Sequence, residues 1–194
     1  MRSVERKFAS ARDLRELEPQ DVVVFPTEAP HGAEYATLSS LMLSGHLEEL
    51  KLDPELPAAD LGSGLGVGCF TLSVHFKKVH GLEYDYRLVM EAEVLRQDLG
   101  FDNVVFHHVD FLKADLSGYR VLYLFHPFRE NFVPLMAKRM EDIASGTYVI
   151  SQVFNYARPS IFTSSLFERI HPLEIGSDEV GDDFVTELIT FRRR

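Results

Sequence analysis

The sequence has a single cysteine, no tryptophan and no long apolar run. Its 194 residues include one cysteine, Cys69, which excludes an intramolecular disulfide or a zinc site built from several cysteines and fits a reducing compartment. No apolar stretch approaches the roughly 20 residues that span a bilayer. Residues 1–19 are charged and do not resemble a signal peptide. We therefore expect a cytoplasmic protein that does not act at a membrane.

Basic charge is also scarce. Lysine and arginine total 20 against 30 aspartates and glutamates, which gives a formal net charge of −10. A protein held mainly by phosphate contacts needs a basic surface that releases counterions when it docks. The arginines at 192–194 form the one dense basic cluster, and we interpret them as a solvated tail. The composition therefore argues against a nucleic-acid partner.

Hydrophobic residues make up 45% of the chain, which is enough for a core without disulfides or metals. The length suits one α/β domain with a modest N-terminal addition. Residues 1–50 are predicted to be that addition, with a helix near 3–18, a short extended run at 22–25 and a second helix near 33–50. Residues 51–194 are predicted to form one globular unit.

Strands and helices alternate through most of residues 51–154, which predicts a parallel sheet with helices on both faces. Two further strands then follow without a helix between them, which predicts an antiparallel hairpin. The predicted fold is therefore α/β, a doubly wound and mostly parallel seven-stranded sheet with an antiparallel C-terminal hairpin. The first predicted strand ends near Asp60, and the others cover 78–83, 104–109, 120–125, 147–154, 167–175 and 184–191. The helix after the first strand is predicted to end near Lys77, and the next two helices cover 87–99 and 132–143.

The strongest local signal is the glycine-rich segment 60–66, with the sequence DLGSGLG, between a predicted strand and helix. Such a turn lets backbone N–H groups approach a ligand because no Cβ stands in the way. A dinucleotide fingerprint needs glycine or alanine at its sixth position. Counted from Gly62, that position is Val67. Counted from Gly64, it is Cys69. A nicotinamide-dependent oxidoreductase is therefore disfavoured, although it stays an alternative.

The acidic-x-Gly-x-Gly-x-Gly pattern at Asp60, Gly62, Gly64 and Gly66 resembles the signature of class I, Rossmann-like methyltransferases that depend on S-adenosylmethionine. The resemblance extends over roughly residues 20–191. It implies a loop wrapped around the amino-acid end of S-adenosyl-L-methionine, with Asp60 anchoring the ammonium group. It also implies a seventh strand inserted antiparallel beside the fifth, in agreement with the predicted hairpin.

The same resemblance assigns further cofactor-binding residues. Glu83 ends the second strand, 23 residues after Asp60, where a carboxylate accepts hydrogen bonds from the ribose hydroxyls. Asp110 is expected to accept from the adenine amino group, with Phe111 and Tyr84 packing on the ring. Two plainer interpretations stay open: Glu83 as a solvated surface charge, and the two aromatic residues as ordinary core.

The predicted substrate side lies at 126–128, after the fourth strand. Many amino-group methyltransferases carry Asn-Pro-Pro-Tyr or Asp-Pro-Pro-Tyr at this position, whereas this chain has His126, Pro127 and Phe128. We predict Pro127 and Phe128 as pocket walls. His126 is either a general base or a polar residue at a strand end. The N-terminal addition is expected to cap the cofactor, with Thr27 as its candidate contact.

No metal site is predicted, because His107 and His108 are adjacent in a strand and point to opposite faces. The sequence thus predicts methyl transfer from S-adenosylmethionine to a small-molecule or protein acceptor. The principal alternative is a protein that keeps this fold and binds or senses the cofactor without catalysis.

Overall fold

The computed structural model of the chain describes residues 32–125, 133–154, 165–175 and 186–194. The predictions for residues 3–18, Thr27 and His126, Pro127 and Phe128 lie outside these ranges. Within them, no helix is long and apolar enough to cross a membrane.

Helices and strands alternate along most of the described chain, except that the third and fourth strands have no helix between them and that the last three elements are all strands. In chain order they are α1 Gly32–Leu50, β1 Ala58–Leu61, α2 Val67–Ser73, β2 Val79–Glu83, α3 Tyr86–Leu99, β3 Val104–His108, β4 Val121–Phe125, α4 Val133–Glu141, β5 Tyr148–Phe154, β6 Phe167–Ile175 and β7 Thr186–Arg193.

All seven strands form one sheet in the order β3-β2-β1-β4-β5-β7-β6. Neighbours from β3 to β5 pair in parallel. Strand β7 pairs antiparallel with β5 on one side and with β6 on the other, so it is the strand that runs against the rest. The predicted fold class, including the antiparallel C-terminal hairpin, is confirmed.

Each face of the sheet carries its own hydrophobic core, because the central strands β1 and β4 are buried at nearly every position. In β4, Val121 and Tyr123 pack on the face covered by α1 and α2, while Leu122 and Leu124 pack on the face covered by α4. Helix α1 shares its core with α2 and β7. The core residues on that side include Met42, Leu43, Leu47, Cys69, Leu72 and Leu188.

The observed bounds of helix α3 are close to the predicted range 87–99. The Asp85 carboxylate accepts from the Arg87 N–H at the first turn, and Gly100 ends the helix with a φ of 74°. Such a left-handed C-terminal residue favours glycine.

Helix α2 is shorter than predicted, because it ends at Ser73 and not near Lys77. The Asn103 side-chain amide donates to the carbonyl oxygens of Ser73 and Phe76, at 2.8 and 2.9 Å. The distant Asn103 thus caps the end of the helix, a contact that local periodicity does not reveal.

The connection from β3 to β4, residues 109–120, consists of turns and contains no helix. One face of β2 and β3 is therefore left partly open. Val105, in the edge strand β3, has 44% of its surface exposed on that face.

Candidate cofactor site

The glycine-rich loop leaves the carboxyl end of β1 in a conformation that glycine adopts most readily. Gly62, Gly64 and Gly66 have φ angles of 81°, 53° and 91°, in the left-handed region where a side chain is strained. The Gly62 N–H donates to the Leu82 carbonyl oxygen at 2.8 Å, which ties the loop to β2. A Cβ on Gly64 would meet no atom within 4 Å, so the loop borders open space there.

The partly buried ring of Phe106 packs against the loop. An ideal Cβ on Gly66 would lie 2.5 Å from Cζ of Phe106, and a Cβ on Gly81 of β2 would also collide with that ring. Phe106 in turn meets Phe70 of α2 edge-on, with ring centroids 5.9 Å apart. Sequence reasoning missed Phe106 and Gly81. The available signal was the glycine inside a strand, which often marks a close approach of another group.

Asp60 is nearly enclosed, with 3% of its surface exposed. Burial raises the pKa of its carboxyl to about 7, helped by the negative charge of Glu83 and opposed by hydrogen bonds from Cys69. The Cys69 thiol donates to Oδ2 of Asp60 at 3.7 Å. A Cβ on Gly68 would collide with the same carboxylate oxygen. The site thus holds an acid whose ionised form lacks a cationic partner among the contacts of the described residues.

Glu83 faces the loop and not open solvent. Its Oε2 accepts the Gly64 N–H at 2.9 Å, and its Oε1 accepts the Asp85 N–H at 2.8 Å. An ionised carboxylate has about four lone-pair positions, so each oxygen keeps one for a further donor. Two backbone contacts therefore hold this carboxylate beside the loop with capacity for two hydroxyl groups.

Asp110 and Phe111 follow β3 at the same edge of the sheet. The Asp110 carboxylate accepts the Leu112 N–H at 3.0 Å and lies 3.3 Å from Nζ of Lys113. The Phe111 ring belongs to the core beneath α4, yet its edge lies 3.8 Å from an ideal Cβ on Gly62. Phe111 is therefore both a core residue and a neighbour of the loop.

Tyr84 has 74% of its surface exposed, so it is not a core residue. Its carbonyl oxygen lies 3.0 Å from Nε2 of His108. Tyr86 meets His108 edge-on, with ring centroids 5.4 Å apart. His108 thus contacts the backbone of Tyr84 and the ring of Tyr86 at the carboxyl ends of β2 and β3.

The structure brings Asp60, the three loop glycines, Glu83 and Phe111 together at the carboxyl ends of β1 to β3. Asp110 lies at the same edge, and Tyr84 lies at its exposed rim. In the part of the chain that the structure describes, no group of three or more histidine, cysteine, aspartate or glutamate side chains is placed to hold a metal ion.

No family model and no curated protein matches the sequence. Solved structures of methyltransferases, however, are similar to this chain in fold. The chain is similar to magnesium protoporphyrin IX methyltransferase from Synechocystis with bound S-adenosylmethionine: 14% identity, 83% of this chain and 81% of that chain covered, TM-score 0.66. It is also similar to geranyl diphosphate methyltransferase in complex with S-adenosylmethionine: 13% identity, 81% and 85% covered, TM-score 0.62.

A third similar structure is a proposed RNA methyltransferase from Pyrococcus horikoshii. It is 20% identical, covers 94% of this chain and 98% of its own, and has a TM-score of 0.61. At these identities the likeness concerns the fold. The chain has the fold of class I, Rossmann-like methyltransferases, as the glycine-rich pattern predicted.

Proposed function

We propose that this protein is a methyltransferase that uses S-adenosylmethionine and binds it at the carboxyl ends of β1, β2 and β3. The observation that carries the proposal is the hydrogen bond between the glycine-rich loop and Glu83. The loop has three glycines with positive φ, and the N–H of Gly64 donates to the Glu83 carboxylate at 2.9 Å. The proposal is further supported by a fold whose solved examples include two methyltransferases with bound S-adenosylmethionine.

The side chains at the ends of the strands match the three parts of the cofactor, which are its amino-acid end, its ribose and its adenine. The raised pKa of Asp60 reflects a buried acid without a counter-charge, and the cofactor's ammonium group would supply that charge. The remaining lone pairs of Glu83 suit the two ribose hydroxyls. Adenine would lie against Phe111 and Tyr84, with Asp110 accepting from its amino group. Thr27 is proposed to cap the cofactor.

In methyl transfer, the main task of the protein is to align the acceptor with the methyl group of the cofactor. The acceptor's lone pair attacks the methyl carbon, the carbon–sulfur bond breaks, and S-adenosylhomocysteine leaves with the bonding electrons. Holding nucleophile and methyl group in line accounts for much of such an acceleration. Where the acceptor loses a proton, His126 is the proposed base, with Pro127 and Phe128 as walls of the acceptor pocket.

The acceptor is proposed to be a small molecule or a protein, because the net charge of −10 disfavours a phosphate-rich partner. The similar proteins do not narrow this further, since their names include a porphyrin, an isoprenoid diphosphate and RNA.

A second candidate function is binding or sensing of the cofactor without catalysis. It is favoured by the segment His126-Pro127-Phe128, which departs from the motif of amino-group methyltransferases. Cofactor binding without turnover across a broad panel of acceptors would support this function over the first.

The deciding experiment is calorimetric titration of the protein with S-adenosylhomocysteine, with a nicotinamide dinucleotide as the control. We expect saturable binding of the former alone, with one site per chain. Binding of the dinucleotide in preference would contradict the proposal and favour an oxidoreductase. Absence of binding to either, in a protein shown to be folded, would reject the cofactor assignment.

A further inference from the structure

A pair of histidines lies on the open face of the sheet, away from the glycine-rich loop. His80 is in β2 and His107 is in the edge strand β3. The strand register pairs Leu82 with His107, and side chains two residues apart share a face. His80 and His107 are therefore diagonal neighbours on one face, within the reach of ring side chains.

The two imidazole rings face each other through their nitrogen atoms. Nδ1 of His80 and Nε2 of His107 are 2.8 Å apart, and the ring planes differ by 17°. The Tyr119 hydroxyl comes from the connection between β3 and β4 and lies 3.1 Å from the same Nδ1. Nδ1 of His80 thus has two potential ligand atoms as close neighbours, one on strand β3 and one on the connection that follows it.

We propose that His80, His107 and Tyr119 form a binding site for a late first-row transition-metal ion, with Zn²⁺ as the reference ion. Imidazole nitrogens suit zinc, copper and nickel. Two nitrogens in a tetrahedral zinc site, with bonds of roughly 2.0–2.1 Å, are about 3.3 Å apart. The observed separation of 2.8 Å would have to widen by about 0.5 Å, and both rings would have to turn so that their lone pairs point to the ion and not at each other. Water would complete the coordination.

The hydrogen bond between the two rings can be exchanged for metal ligation, in which neutral imidazole is the ligating form. One N–H proton lies between the facing nitrogens. Metal binding moves that proton, through solvent, to the other nitrogen of the same ring, so both rings remain neutral.

Charge near the site is mixed, and access is open. Lys78 lies near His80 and opposes a cation, whereas Asp115 lies near Tyr119 and favours one. Tyr119 would enter as a weak neutral ligand beside the two imidazoles. The exposed Val105, two residues before His107 on the same face, shows that solvent reaches this region.

The test is calorimetric titration of the full chain with ZnCl₂. We expect the His80→Gln and His107→Gln variants each to bind one Zn²⁺ fewer than the wild type. His108→Gln is the matched control, because His108 is the next residue along β3 but points to the opposite face, so it should keep the wild-type count. Equal zinc stoichiometry and affinity in the wild type and both glutamine variants would overturn the proposal.

A second measurement covers the case in which the glutamine variants fail to fold. In the wild type, ¹⁵N-labelled imidazole signals are followed by NMR during the zinc titration. Nδ1 of His80 and Nε2 of His107 should shift together at one equivalent, while the His108 ring should not follow them. Unchanged signals from His80 and His107 in the presence of bound zinc would reject the site. Neither readout depends on the proposed methyl transfer, so the two proposals fail separately.

Discussion

At the scale of single residues, Glu83 is the carboxylate whose role can be measured most directly. Its two oxygens accept the N–H groups of Gly64 and Asp85, and its free lone pairs are proposed to take the ribose hydroxyls. Replacing Glu83 with alanine should weaken S-adenosylhomocysteine binding by about 1–3 kcal/mol, because hydrogen bonds to a charged group in a partly buried site are lost. Calorimetry measures the change.

The matched control for that variant is Glu91→Ala, which removes a carboxylate from the exposed surface of α3. Its affinity for S-adenosylhomocysteine should equal that of the wild type. Unchanged affinity in Glu83→Ala itself would remove Glu83 from the site.

The raised pKa of Asp60 should make the free energy of unfolding depend on pH. Burial raises its pKa from 3.8 to about 7, so between these values the folded state keeps a proton that the unfolded state has lost. The free energy of unfolding therefore decreases as pH rises from about 4 to 7, by roughly 4 kcal/mol from this one group. Asp60→Asn removes the titration. Its stability relative to the wild type should be higher at pH 8 than at pH 5, as measured by urea unfolding. A difference independent of pH would contradict the assigned pKa.

At the scale of elements, the turn from β1 into α2 depends on both backbone conformation and space. Gly66 has a φ of 91°, and a Cβ there would meet the Phe106 ring at 2.5 Å. Gly100, at the end of α3, has a φ of 74° but no atom within 4 Å of an ideal Cβ. The two glycines therefore separate the effect of conformation from the effect of crowding.

Alanine at Gly100 should cost about 1–2 kcal/mol, the strain of a left-handed residue. Alanine at Gly66 should cost the same strain plus about 1–3 kcal/mol for overpacking, and it should also weaken S-adenosylhomocysteine binding. Chemical denaturation and calorimetry measure the two effects. Equal losses of stability in the two variants would show that Phe106 moves aside freely.

The elements that could be predicted from sequence are those with a strong local pattern. The apolar run of β4 and the glycine after α3 allowed the bounds of both elements to be predicted to within one residue. The end of α2 was predicted too late because Asn103, thirty residues beyond Ser73, caps it. The Phe106 ring beneath Gly66 and the pairing of His80 with His107 depend on strand register, and an alternation of apolar residues does not determine register.

At the scale of the whole molecule, the sheet order predicts where the structure opens first. Strands β1 and β4 lie inside the sheet and are buried on both faces, whereas β3 and β6 are at its edges. Amide exchange should therefore be slowest in β1 and β4 and faster in β3 and β6, because edge strands have fewer buried contacts and more exposed backbone. Hydrogen exchange with mass spectrometry gives the ranking. Slower exchange in β6 than in β4 would contradict it.

The strand order also has a consequence for how the chain folds during synthesis. Within the sheet, β6 pairs with β7 and not with β5, although β6 is translated first. When β6 leaves the ribosome, its place in the sheet does not yet exist, and the edge of β5 lacks its neighbour. An unpaired strand edge invites pairing with another chain. The interval between the synthesis of β5 and that of β7 is therefore when this protein is most exposed to aggregation, and when a chaperone would benefit it most.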